Sequence, residues 1–242
     1  LTEQETGELV APDFAARRLR KQLRRLRPLL IVGAVLVLVI GAFWALYFSP
    51  LLTVQAVQVT GTTTISVVQI KQVAEVPIGD QLVRVDLAAI QARVETIPAV
   101  RSVSVSRSWP HDITIAVSER VPIAVVSRGA TLQSLDADGV LFGHYGRRPA
   151  GLLLVKTPLN VSATALVEAA AVVSALPSDI AIRVHLIEVV TPDDITLDVS
   201  GGVTVLWGSA ADSDNKAKVL RVLLKKHVTQ IDVSVPGRPT AR

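Results

Sequence analysis

Residues 97–122 read IPAVRSVSVSRSWPHDITIAVSERVP. Two alternating runs lie inside this stretch. In the first, VRSVSVSRSWP, Val103 and Val105 fall on one face and serines on the other. In the second, ITIAVSER, Ile113, Ile115 and Val117 are in phase. Successive side chains of a strand point to opposite faces, so each run predicts a half-buried strand. Trp109-Pro110-His111-Asp112 interrupts both patterns and predicts the turn between them.

Upstream the period changes. Ser66 can cap a helix that puts Val67, Ile70, Val73 and Ala74 on one face, and Pro77 and Gly79 end it. Asp86 can cap a second helix with Leu87, Ile90 and Val94 inward, closed by Pro98. Before both, residues 53–60 predict a strand through Val54, Val57 and Val59, with Gly61 as its turn. The order is β-α-α-β-β.

That order, with the residues that carry it, resembles a POTRA domain, and the chain is similar to the FtsQ/DivIB family of bacterial cell-division proteins. The likeness rests on Val57, Val59 and Gly61, on Gly79, Leu82, Val85 and Asp86, and most densely on Ile97-Pro98 through Trp109-Pro110 to Glu119-Arg120 and Pro122. Read without the family, Trp109-Pro110 sets a turn, and Glu119-Arg120 is a surface pair at a domain junction. Architectural roles are expected for Trp109, Pro110, Glu119, Arg120 and Pro122.

Downstream, residues 122–128 and 132–136 are short alternating segments, and Asp138-Gly139 predicts a hairpin into Val140-Leu141-Phe142. Asp136-x-Asp138-Gly139 has the opening of a calcium loop, but the later ligands are absent. Leu135-Asp136 to Phe142 fits a stretch typical of the family. Residues 152–156 predict a strand. Ser162 can cap a helix over 163–175 with Val167, Ala170 and Val173 inward. Strands are expected at 183–190, 194–199 and 203–207, then a helix over Lys216–His227 with Val219, Val222 and Leu223 inward. The last alternating run has Ile231, Val233 and Val235 on one face. Pro236, Gly237 and Pro239 stop it, which leaves a disordered tail over 236–242 and no further strand. Leu206-x-Gly208, Lys216 and Ile231-Asp232 also fit the family's C-terminal β domain. The expected fold is α+β: a transmembrane helix, a POTRA domain over 51–121 and a mixed α+β domain over 122–235 with a mainly antiparallel sheet.

Leu29 to Phe48, LLIVGAVLVLVIGAFWALYF, carries no charge over twenty residues. A helix of that length spans roughly 30 Å, the thickness of a bilayer's hydrocarbon core. Trp44, Tyr47 and Phe48 crowd one end, as interfacial aromatics do. A cleaved signal peptide would be shorter with a small-residue cleavage site; a buried core helix would be amphipathic. Arg24, Arg25 and Arg27 precede the stretch, and the first charge after it is Lys71. The positive-inside rule therefore places a basic tail, residues 1–28, in the cytoplasm and the C-terminus outside. The seven basic residues between Arg17 and Arg27 suit anionic lipid headgroups; further basic faces for nucleic acid are not visible. The chain starts at Leu1 and contains no Met, so the natural start is expected upstream.

No cysteine is present, which excludes disulfides and thiolate metal sites. His111, His144, His185 and His227 show no metal-ligand spacing, and no nucleophile elbow or phosphate-binding Gly loop appears. No catalytic residue, metal, cofactor or small-molecule substrate is expected. The resemblance implies a scaffold at the division septum whose partners are the single-pass proteins FtsB and FtsL. It implies contact through the final strand region: Thr229, Gln230, Ile231, Asp232, Val233, Ser234 and Val235. An envelope enzyme would need a convergent polar pocket. A POTRA-bearing transport component would need many barrel strands downstream.

Overall fold

A computed structural model describes residues 14–48, 52–226, 228–235 and 237–242, with backbone alone for 14–27, Leu46 and Phe48. Ser49, Pro50 and Leu51, which follow the apolar stretch, lie outside the described residues with His227 and Pro236, as do the side chains of Arg24, Arg25 and Arg27.

Helix α1 runs Phe14–Phe48. The basic run is therefore continuous with the apolar one. Its Arg, Leu, Lys and Gln residues are strong helix formers, and Pro28 inside the helix removes one donor without ending it. Pro28–Ala45, with mean hydropathy 2.5, is the one helical stretch among the described residues long and apolar enough to cross a membrane.

The chain divides into two compact units. One comprises residues up to Gln58 with Val76–Asp86 and Arg107–Ile113; the other comprises Val59–Glu75, Leu87–Ser106 and Thr114–Arg242. Strands β1 (Ala56–Thr60), β2 (Val100–Ser108) and β3 (Asp112–Glu119) form a sheet ordered β1-β3-β2. Its first strand starts later than the sequence suggests, because Val54 and Gln55 bond to Asp80 and His111 instead. Helices α2 (Val67–Ala74) and α3 (Leu87–Glu95) bury Ile70, Ala74, Ile90 and Val94. Val67 is exposed, and Ser66 sits at the N-cap without a side-chain cap bond. Gly61 is required: at φ +82° a Cβ there would lie 2.1 Å from the Val117 carbonyl oxygen.

The nine-stranded sheet runs β12-β11-β10-β9-β8-β7-β4-β5-β6. Its strands are β4 (Ala124–Arg128), β5 (Thr131–Leu135), β6 (Leu141–Tyr145), β7 (Leu153–Thr157), β8 (Val184–Thr191), β9 (Asp194–Val199), β10 (Val203–Leu206), β11 (Gln230–Asp232) and β12 (Thr240–Ala241). Pairs β4–β7, β7–β8 and β10–β11 are parallel; the other five are antiparallel. Parallel neighbours need a crossover. Helices α4 (Ala163–Ala175) and α5 (Ser178–Ala181) supply the one from β7 to β8, and α6 (Ser213–Leu223) the one from β10 to β11.

The Ser162 hydroxyl caps α4, accepting from the Ala165 N–H at 3.2 Å. In each of α4 and α6 one expected core position points outward. Val167 is 48% exposed, while Ala170 and Val173 pack inward as expected, joined by Leu166 and Ala169. A Cβ on Gly139 would come within 2.7 Å of the Val167 backbone, so that side of α4 abuts the β5–β6 hairpin. Helix α6 begins at Ser213, not Lys216, and ends at Leu223. Its inward face is Ser213, Lys216, Ala217 and Leu220, which turns Val222 to solvent.

Candidate functional site

The predicted contact segment, Thr229–Val235, lies near one end of the nine-stranded sheet. Ile231 and Val233 are fully buried, while Val235 is exposed. Strand β11 pairs in parallel with β10, matching Thr204 to Gln230 and Leu206 to Asp232. Val233 extends that pairing by donating its N–H to the Leu206 carbonyl at 3.0 Å. The Asp232 carboxylate then accepts from the Ser234 N–H at 2.9 Å and bends the chain.

The outer side of β11 is not bare. Contrary to the expected disordered tail, Thr240–Ala241 forms β12 and pairs antiparallel with Ile231 and Asp232. The Arg242 carbonyl accepts from the N–H groups of Thr229 (2.8 Å) and Gln230 (3.1 Å), and the Arg242 N–H donates to Gln230 (2.9 Å). This pairing uses main-chain groups and exposed side chains, so no hydrophobic pattern announces it. The terminal strand of the sheet is thus two residues long. Such a short edge presents only the outer main-chain groups of β12 to another chain, unless β12 is displaced.

Beneath this end of the sheet lies a polar network that sequence reasoning missed. The Trp207 indole N–H donates to the Ser213 hydroxyl at 3.1 Å, which donates to the Ala210 carbonyl at 2.7 Å. The Ala210 N–H donates to the Glu168 carboxylate at 2.7 Å. Lys216, 1% exposed, donates from Nζ to the Ser209 carbonyl at 2.8 Å. Burial pushes the Lys216 ammonium below its ordinary pKa, partly offset by Asp212 and Glu168. The network fixes the Gly208–Ser213 connection. At Gly208 (φ +76°) a Cβ would lie 3.0 Å from the Ser234 side chain, so this connection backs the end of the predicted segment.

Glu119 and Arg120 do not pair with each other. Adjacent strand residues face opposite ways, and each finds its own partners. The Glu119 carboxylate accepts from the N–H groups of Thr63 (2.8 Å) and Ile65 (2.9 Å), from the Thr64 N–H, and from both threonine hydroxyls. Its partial burial raises the pKa, but these donors, the Thr64 hydroxyl foremost, outweigh that and lower it to about 2. Arg120 donates to the Pro98 carbonyl at 3.1 Å and forms an ion pair with Asp136, which is 3% exposed. The other oxygen of Asp136 accepts from the N–H groups of Asp138 (3.0 Å) and Val140 (2.8 Å), closing the β5–β6 turn. Trp109 and Pro110 form the β2–β3 turn; Trp109 is 52% exposed.

A cleft of about 550 Å³ opens beside these residues, lined by Thr64, Ile65, Pro122, Phe142 and Tyr145 among others. Three of its polar groups are already engaged: Glu119 by the 63–65 loop, Arg120 by Asp136, and the Ser134 hydroxyl by Tyr145 at 2.9 Å. Among the described residues no group of three or more His, Asp or Glu side chains could hold a metal ion.

Comparison with known proteins adds the family. Residues 52–120 match the FtsQ-type POTRA domain, and residues 124–234 match the C-terminal domain of the cell division proteins FtsQ/DivIB. The cell division protein FtsQ of Streptomyces coelicolor is 36% identical, covering 90% of this chain and 88% of its own length. That of Streptomyces venezuelae is 35% identical, covering 97% and 91%. The major extracytoplasmic domain of DivIB from Geobacillus stearothermophilus has 16% identity and a TM-score of 0.36, covering 50% of this chain and 98% of that one. With both domains matched in order and relatives above 30% identity along nearly the whole length, the chain belongs to the FtsQ family of bacterial cell division proteins.

Proposed function

We propose that this protein is a non-catalytic scaffold of the division machinery that binds FtsB- and FtsL-type proteins through the sheet end formed by Thr229–Val235. The observation that supports it best is the two-residue strand β12 beside β11. A partner strand can add to that edge or replace β12, gaining main-chain hydrogen bonds in either case. The buried Lys216 network supports this reading by holding the adjoining loop rigid. The engaged polar groups of the cleft favour a binding role over an enzymatic one.

Pro28–Ala45 serves as a single membrane anchor, with Arg24, Arg25 and Arg27 holding the N-terminus in the cytoplasm and the folded domains outside, at the division septum. The domain boundaries that go with this reading are 51–121 and 122–235.

Residues 49–242 are to be tested against the outer segments of an FtsB–FtsL pair, alongside chains truncated after Gln230 and after Gly237. Loss of binding on truncation after Gln230 is the expected result. Tighter binding after removal of 238–242 would mean that β12 competes with the partner. Binding that survives the Gln230 truncation would move the contact elsewhere, and no binding by the intact region would sink the partner assignment.

A further inference from the structure

The unit that contains the apolar helix also contains two loops with large exposed apolar side chains. Ile78, in the loop after α2, is 61% exposed, and Trp109, in the β2–β3 turn, is 52% exposed. Both loops are fastened to residues 54 and 55. Gly79 donates to the Val54 carbonyl and Val54 donates to the Asp80 carbonyl, each at 2.8 Å; Gln55 donates to the His111 carbonyl at 2.8 Å. The same unit holds the 3-10 turn Leu82–Arg84, whose Arg84 guanidinium lies 5.9 Å from the centre of the Tyr47 ring. Tyr47 is two residues past the end of the apolar span. Arg107 locks this turn by donating to the carbonyls of Leu82 (2.8 Å), Val83 (3.2 Å) and Val85 (2.8 Å).

We infer that Trp109 and Ile78 dock into the lipid headgroup–acyl boundary beside the anchor helix, forming a second attachment to the bilayer. The inference rests on the reading of Pro28–Ala45 as a membrane span. Continuity with that span identifies the occupant: the Arg84–Tyr47 contact holds the 3-10 turn at the level where the span ends, and both loops belong to the same unit. An indole is suited to this boundary because its body is apolar and its N–H polar. Charge does not supply the attraction. Outside α1, the described residues of the unit carry Arg84 and Arg107 against Asp80, Asp86 and Asp112, so docking depends on the apolar side chains and little on anionic lipid.

The absence of cysteine allows single spin labels to be placed in the full chain. Ile78→Cys, Ile182→Cys and Val37→Cys chains are labelled in nanodiscs of phosphatidylcholine, with and without phosphatidylglycerol. Collision with oxygen, which favours lipid, is then compared with collision with a water-soluble nickel chelate. The oxygen-to-nickel ratio at residue 78 should exceed that at residue 182, an 82% exposed control, several-fold in both lipid mixtures. Adding Trp109→Ala should lower it towards the control. A ratio at 78 equal to that at 182, with 37 in lipid, would overturn the docking and leave the anchor intact. A water-exposed label at 37 would refute the anchor, and the docking with it. A high ratio at 78 that ignores Trp109→Ala would refute the part given to Trp109.

Discussion

The N–H of Val233 donates to the carbonyl of Leu206 at 3.0 Å, one residue beyond the last register pair of β10 and β11. This bond carries the strand past Asp232 and brings Ser234 to the loop at Gly208. Proline at 233 removes the donor and leaves the Leu206 carbonyl without it, at a cost of about 1–3 kcal/mol. Val233→Pro should weaken binding to an FtsB–FtsL pair while the β1–β3 sheet stays folded. Affinity measured on residues 49–242, with amide spectra to follow both sheets, checks this; unchanged affinity would remove the segment from the contact.

Glu119 accepts from three consecutive backbone N–H groups, and its folded pKa of about 2 lies below the ordinary 4.5. A depressed carboxylate stabilises the fold fully above its unfolded pKa and loses that contribution as pH falls through the folded value. The loss here spans pH 4.5 to 2. Glu119→Gln should destabilise by about 1–2 kcal/mol at neutral pH, the worth of charge-assisted bonds discounted for solvent screening. The difference from the parent should shrink across that window. Urea midpoints at pH 7, 4 and 2.5 provide the measurement; a constant difference would contradict the assignment.

Asp136 is the buried member of a pair with Arg120. Asp136→Ala leaves the guanidinium, 17% exposed, with only the more distant Asp138 carboxylate at 3.8 Å, and frees the Asp138 and Val140 N–H groups. Removing one partner of a buried pair costs about 3–5 kcal/mol. Asp136→Asn keeps an acceptor for the turn and should cost less. Equal loss for the two variants, read by thermal unfolding, would show that the ion pair alone matters.

Much of this architecture is legible because burial imposes a period. Ile113, Ile115 and Val117 announce β3, and Ser162 marks the start of α4. What escapes is what periodicity cannot report. Strand β12 is held by main-chain bonds of Thr240–Arg242, and α5 is a single turn. Glu119 and Arg120 look like a pair in sequence, yet strand geometry sends them to different partners. A buried lysine reads as a surface residue, so the valines of α6 point to an inward face that the structure rotates towards Lys216. The shared face of Ile231 and Val233 is legible in Thr229–Val235, but the end of β11 at Asp232, the exposure of Val235 and the cover by β12 are not.

Lys216 gives the last prediction. Its pKa is lowered, so the charged form is less stable in the fold than in the unfolded chain. The unfolded state then binds more protons, and stability rises with pH. That rise lies between the lowered folded value and the ordinary 10.5. Lys216→Met keeps the stem and removes the charge, but it leaves the Ser209 carbonyl without its donor. The variant should lack the rise in stability that the parent is expected to show as pH approaches 10.5, and the difference between the two isolates this residue from the exposed lysines. Its Ser209 loop should also loosen behind Ser234, with faster amide exchange at Gly208 to Ala210. If parent and variant respond alike to pH while exchange is unchanged, Lys216 neither carries a suppressed charge nor braces this end of the sheet.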